Sequence, residues 1–463
     1  MIQRWSRAVR RGFAFGVLLI VSLSAHALAG TPPAVVAKLS NPGPLVQRDQ
    51  IELPPLAPGD QYGKILLSAD GRTLLVEVLG GDCPANPDCG AVDVFTRRFG
   101  TWTREARLTA SDGTPVDVFG RSLALTPEGR TVLIGASSKD CAKGPDCGAA
   151  YVFTRAADGT WSEQQKLLPS DVDALSAFGT GAALSADGTK ALIGAFGTRC
   201  ANGFSGCGAV YEFTWNGASW IETGKITAPF RFADQGFGSS VVLSRDGQTL
   251  LVEENVFGFT PGSVYVFQRS GGSWTQEARI DAPGACEVFF GEEMSLSDDG
   301  ETAVIACSGA NDHAYVYTRQ GGTWPQQAEL IPAGGFSGSV GLSGDGNEVI
   351  LGLRRGECTT SAVASIFTRN GGTWSEGPPL LAQNPTTGST RVDLSGDALT
   401  AVVGPVQACT GPAPASNPYV VLVFGPEGFT PDVPALSGLG LLLLAMILAA
   451  CGAALLVRRR GQA

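Results

Sequence analysis

A seven-bladed β-propeller is the all-β fold this chain predicts, and three observations carry it. One aromatic phrase recurs six times, as Phe95-Thr96-Arg97 with Trp102, Phe153-Thr154-Arg155 with Trp161, Phe213 with Trp220, Phe267 with Trp274, Tyr317 with Trp324 and Phe367 with Trp374. Apolar hairpins turning on Ser-x-Asp-Gly precede the phrases, at 68–71, 185–188, 244–247, 297–300 and 343–346. The marks Tyr62, Phe119, Phe178, Phe237, Phe290 and Phe336 stand 57, 59, 59, 53 and 46 residues apart, a period that belongs to solenoids, arrays or propellers.

Each unit reads as four short antiparallel strands. In the second they are predicted at 122–126, 131–136, 149–154 and 160–167, with Pro-Glu-Gly as the first turn and Ala-Asp-Gly as the third. Asp-Gly and Gly-Gly supply the positive backbone angles that tight hairpins need. The third strand is apolar on consecutive residues, as in Ala149-Ala150-Tyr151-Val152-Phe153, which suits a strand covered on both faces by neighbouring blades. A pair of β-sandwiches would leave so regular a repeat without a cause.

Counting hairpins gives seven blades over residues 47–424, the last at 390–424 and short of one strand. The segment 47–56, ending before Asp60-Gln61-Tyr62-Gly63, is expected to supply that strand by pairing with 420–424. Such closure removes an exposed sheet edge.

The phrases Phe-Gly-x-Ser, Leu-Ser-x-Asp-Gly, Val/Ile-Gly-Ala, Gly-Ala-x-Tyr-x-Phe and Gly-Gly-x-Trp resemble the FG-GAP repeats of bacterial secreted proteins, relatives of the integrin α-subunit propeller. Many such repeats carry an Asp-rich calcium loop between their first two strands. Here a tight turn with one carboxylate stands in its place, too few oxygens for calcium, so its Asp reads as a hairpin residue and no cofactor or metal is expected. One tryptophan per blade at one position reads as blade packing.

Both ends of the chain read as an address. Arg4, Arg7, Arg10 and Arg11 precede the apolar run 13–23, and Ala25-His26-Ala27 or Ala27-Leu28-Ala29 offers a cleavage site, so residues 1–29 read as a signal peptide and 30–46 as a linker. After a second linker at 425–434, the segment 435–457 is long enough to cross a bilayer as a helix, and Arg458, Arg459 and Arg460 place its end in the cytoplasm with the propeller outside. Val433, Pro434, Ala435, Leu436, Ser437 and Gly440 resemble the IPTL-CTERM sorting signal, with Ala435 in place of Thr and Leu439 in place of Trp. That resemblance implies an exosortase-type enzyme as partner and a Gram-negative envelope or secreted location; a plain membrane anchor is the other reading.

Loss of the four leader arginines and the three tail arginines moves the net charge from −10 to −17, which disfavours nucleic acid and anionic lipid as partners. Ten of the eleven cysteines lie in the exported part, where an even number reads as disulfides. Cys83/Cys89, Cys141/Cys147 and Cys200/Cys207 recur in one loop of blades one to three, so each pair is expected to close its own loop; Cys286 is matched with Cys307 and Cys358 with Cys409. A pair alone supplies too few ligands for zinc.

No catalytic constellation emerges: His313 is the sole histidine left after the leader, and no nucleophile phrase lies near it. The chain is therefore expected not to be an enzyme but a displayed binding or adhesion module for an extracellular protein or glycan. The alternatives are a structural envelope component and a propeller hydrolase or lyase. The long segments 80–89, 137–147 and 197–207, with 112–117, 171–176 and 231–235, are expected to share the binding face, opposite the tight turns.

Overall fold

Seven antiparallel sheets form the computed structural model, which describes residues 44–426 except 84–85, 172, 201–202, 204–205, 229–234, 256–260, 287, 310–311, 355–360, 388–389 and 410–417. The predicted leader, Cys358 and the C-terminal sorting segment with its helix lie outside the described residues. No helix occurs among those described, and none is long and apolar enough to cross a membrane.

Blade one comprises Gln61–Leu67, Thr73–Leu79, Ala91–Arg98 and Thr101–Leu108, paired in sequence order. Blades two to six repeat this order, blade six adding the short strand Leu380–Leu381. The first strand of each blade neighbours those of the blades before and after, and that of blade one meets blades two and seven, so the first strands surround a central channel.

The first strand of blade two is Phe119–Leu125, not the expected 122–126. Pairing already starts at Phe119↔Ala136 and resumes at Leu123↔Ile134, leaving a bulge over Gly120-Arg121-Ser122 that period-two reading skips. Comparable register breaks recur in the first strands of blades one and three to six.

Blade seven contains Arg391–Leu394, Ala401–Ala408 and Tyr419–Pro426, with the two-residue strand Thr386–Thr387 also on Ala401–Ala408. Its outer strand is Leu45–Glu52, antiparallel to Tyr419–Pro426 from Leu45↔Pro426 to Glu52↔Val420. The closing strand thus starts two residues earlier and ends four earlier than expected, because pairing runs out through Gly425 and Pro426.

Each blade buries both faces, so the apolar clusters sit between blades. Val92 and Val94 of blade one pack with Phe119, Ile134 and Tyr151 of blade two, and Ile51, Val421 and Val423 of blade seven pack with Leu74, Phe95 and Trp102 of blade one. Edge-to-face rings recur within blades, at 5.6 Å for Phe119–Tyr151 and Phe237–Tyr265 and 5.7 Å for Phe178–Tyr211. At the seams entering blades two, three and four the Phe of the new blade donates its N–H to the carbonyl of a cysteine in the last, as Phe119 to Cys89 (3.0 Å) and Phe178 to Cys147 (3.0 Å), whereas Phe290 of blade five donates to Pro261 (2.8 Å). A Cβ on Gly148 would stand 2.0 Å from the Phe178 carbonyl oxygen, which is why glycine follows Cys147.

Candidate functional site

The two faces of the ring differ. On one, the Ser-x-Asp-Gly turns consume their own polar groups: Ser68 Oγ donates to Asp70 Oδ1 at 2.5 Å while accepting the Thr73 N–H at 2.9 Å, and Ser244/Asp246, Ser297/Asp299 and Ser343/Asp345 repeat the bond. Turns also bond to turns of adjacent blades. Asp298 N–H meets the Gly344 carbonyl at 2.8 Å, Gly344 meets Gly396 at 2.9 Å, Gly396 meets Ala69 at 3.0 Å and Asp70 meets Pro127 at 3.1 Å.

The opposite face carries the longer connections. Disulfides join Cys83 to Cys89, Cys141 to Cys147, Cys200 to Cys207 and Cys286 to Cys307, with Cα separations of 6.0, 5.8, 5.3 and 5.7 Å; Cys409 is also disulfide-bonded. Blade-to-blade connections lean on the bridged loops through the Val116 N–H to Asp88 O and the Leu175 N–H to Pro145 O, both 2.9 Å. Buried Lys139 ties one loop to the next through Asp117 Oδ2 (2.8 Å), Thr114 Oγ1 (3.1 Å) and the Asp112 carbonyl (2.5 Å).

A second brace repeats by blade. Tyr151 Oη donates to Asp112 at 2.6 Å and Lys166 bridges the same carboxylate at 2.6 Å; Tyr211, Asp171 and Lys225 do likewise at 2.8 and 2.6 Å. Burial pushes the Asp112 carboxyl up, but the bonds from Lys166 and Tyr151 outweigh it and hold it below its usual range. Of the expected binding segments, Asp112, Thr114 and Asp117 in one and Asp171 in the next are therefore tied down, while most of 231–235 lies outside the described residues. His313 sits at the start of its strand with Nδ1 2.6 Å from Glu329 Oε1.

On these connections, apolar side chains face solvent at left-handed backbone angles. Val116 (φ 64°) is 71 % exposed, Leu175 (φ 63°) 57 % and Phe289 (φ 51°) 50 %. A β-branched residue at such an angle is a genuine outlier, which the surrounding bonds must hold in place.

Inside the ring lies a cavity of about 550 Å³. Leu125, Leu184, Leu243 and Leu296, each the last residue of a first strand, line it toward the turns. Toward the loops it is charged: the bulges supply Lys64, Arg121, Glu292 and Glu293, and Glu253 enters from a second strand, while Asp393 of blade seven lies nearer the turns, against the end of the first strand of blade one. Arg391 Nη1 meets Glu293 Oε1 at 2.9 Å. Asp393 accepts the Leu67 and Leu394 N–H groups at 2.7 and 2.8 Å, yet burial pushes it up to about 7.

Glu253 is the residue sequence reading missed, although the repeat contained its signal. Pairing aligns Glu77, Gly135, Gly194, Glu253, Ala306 and Gly352 at one position of the second strand. In blades two and three only glycine fits, since a Cβ would approach the carbonyl oxygen of Gly179 or Gly238 to 1.9 Å. Blades one and four carry glutamate instead. Glu77 caps the bulge of its own blade, accepting the Lys64 N–H at 2.8 Å. Glu253 is 2 % exposed, its Oε1 has no hydrogen-bond partner, and burial, with Glu292 beside it, pushes its carboxyl up to about 8.

The FG-GAP repeat model matches residues 102–153 and 161–213, each stretch running from the tryptophan of one blade to the third-strand aromatic of the next. No curated protein matches the chain. Among solved structures it resembles the periplasmic gluconolactonase of Pseudomonas aeruginosa at 16 % identity, with 73 % of this chain and 92 % of that one covered and a TM-score of 0.47. It also resembles the hydrazine synthase of Kuenenia stuttgartiensis, at 14 % identity, 81 % and 96 % coverage and a TM-score of 0.46. A Bacteroides uniformis protein provisionally assigned as a 6-phosphogluconolactonase follows at 16 %, 69 % and 85 %, with 0.49. The expectation that the chain is not an enzyme is corrected here, because structures named as gluconolactonases lie among its neighbours. At these identities the likeness is one of fold, and no activity passes to this chain from it. What the matched repeats and the ring together establish is a seven-bladed propeller built with FG-GAP repeats.

Proposed function

We propose that the protein is exported, held at the cell envelope, and engages an extracellular protein or glycan through its loop face. The observation that carries this reading is the repeated exposure of Val116 and Leu175 on adjacent, disulfide-braced connections at left-handed backbone angles. Holding such residues costs of order 1–3 kcal/mol each, and a scaffold that does so twice at one repeat position presents a preorganised apolar surface. The leader-like and sorting-like termini supply the route to the envelope. The test is a protein and glycan array probed with purified ectodomain, then with Val116→Ser/Leu175→Ser and with a variant whose 80–89 and 137–147 loops are replaced by Gly-Ser turns. Capture should be lost in both while melting stays cooperative. Capture that survives both, and falls instead on mutating the Asp-Gly turns, would assign the partner to the other face.

A further inference from the structure

The channel mouth has the features of a built site that the loop-face reading does not use. Apart from Asp393 of blade seven, its charges are sorted by wall. Lys64 and Arg121 come from blades one and two, with Arg391 beside them from blade seven; Glu253, Glu292 and Glu293 come from blades four and five. Among the described residues, Lys64 and Arg121 have no carboxylate within ion-pair distance, and Glu253 Oε1 is buried without a partner. Nor do the described residues group three or more acidic, His or Cys side chains in a way that could hold a metal ion, which directs the acidic wall toward an organic cation. Below both walls the leucines give an apolar floor.

We propose that the channel mouth binds a short apolar peptide with free termini, its ammonium group on Glu253 and Glu292, its carboxylate on Lys64 and Arg121, and its side chains on the leucine floor. Each part of such a ligand answers a feature already present. The ammonium donates to the unpartnered Oε1, the carboxylate supplies the anion that two cations lack, and apolar side chains displace water from leucine. A neutral sugar would leave both charged walls unanswered, and a single amino acid would leave most of the leucine floor uncovered.

Bringing an ammonium group to Glu253 favours its ionised form. The groups facing it are Glu292 and Glu293, which oppose ionisation, and Lys64 and Arg121, which favour it. Peptide binding near pH 7 should therefore release a proton.

The experiment is titration calorimetry of the full ectodomain with Leu-Leu and Leu-Leu-Leu, their N-acetylated and C-amidated forms, and leucine alone, repeated in buffers of different ionisation enthalpy. Free-termini peptides should bind, and blocking either end should weaken binding about tenfold or more, the loss expected for one charge-assisted contact. Glu253→Gln should weaken the free peptide, leave the N-acetylated form unchanged and abolish proton release. Arg121→Gln, at an exposed position, should weaken the free peptide and leave the amide unchanged. Equal binding of blocked and free peptides, or none at millimolar concentration by a folded ectodomain, overturns the proposal. Because the loop-replaced variant keeps these residues, it should still bind peptide, which separates this site from the loop-face partner.

Discussion

At the scale of the residue, Glu253 sets its own pH dependence. Its folded carboxyl titrates near 8 against an ordinary glutamate value near 4.5, so the native state holds a proton that the unfolded chain has released. The stability this contributes is present in full below about pH 4.5 and is lost as pH rises through 8, a difference on the order of 5 kcal/mol for so buried a group. Glu253→Gln removes the ionisation and should melt higher than wild type at pH 8.5, with the gap closing at pH 5. Parallel melting curves for the two proteins from pH 5 to 9 would refute the assignment. Nothing in a single hairpin betrays this residue; comparison of second strands across blades does, because glutamate stands where backbone crowding elsewhere demands glycine.

Among elements, the recurring tryptophan is a latch between blades. Indole Nε1 of Trp161, Trp220, Trp324 and Trp374 donates to Glu105 (3.2 Å), Gln164 (2.9 Å), Glu277 (3.0 Å) and Gln327 (2.8 Å), each on the outer strand of the preceding blade. The acceptor is the extra residue of a bulge in that strand, where register shifts beside Phe95, Phe153, Phe267 and Tyr317. Arg155 and Arg319 reach the same carboxylates, which explains the arginine in the phrase. In blade three the bulge residue is Thr223, and Trp274 of blade four turns to Glu212 instead, at 2.9 Å. At the ring's seam the bulge residue is Arg48, a donor that bonds the Pro426 carbonyl, and Trp102 Nε1 is buried without a partner. Arg48→Gln should supply the missing acceptor and stabilise by about 1 kcal/mol, whereas Glu105→Ala, which orphans Trp161 and Arg155, should cost about 2–3 kcal/mol. Urea denaturation measures both; destabilisation by Arg48→Gln would show that the arginine's own bond matters more than the latch.

For the whole molecule, closure rests on one strand from each terminus. Without Leu45–Glu52, the edge Tyr-Val-Val-Leu-Val-Phe would stand open, and Ile51 and Leu53 would leave the cluster they share with Trp102. Such an edge invites pairing with other chains. Deletion of residues 30–56 should therefore yield aggregates by light scattering or a sharply lowered melting temperature. An unchanged, monomeric melt would mean that the other six blades hold the ring without it.

Blade number, tight turns and the seam were legible in the chain because each depends on residues close together or repeated at a near-constant period: Ser-x-Asp-Gly makes its own turn, and Phe-Gly marks the start of blades two to five. The bulges were not, since Phe119-Gly120-Arg121 falls before the alternating run that reads as strand, and only pairing shows Phe119 already in the ladder with one residue opposite three. The charged channel was less legible still. Arg391 and Glu293 are 98 positions apart and Glu253 faces a cation of blade one, neighbours only because seven blades turn their first strands toward one axis. Local chemistry sufficed to specify the blades; which side chains meet at the centre followed from ring geometry, which no single repeat contains.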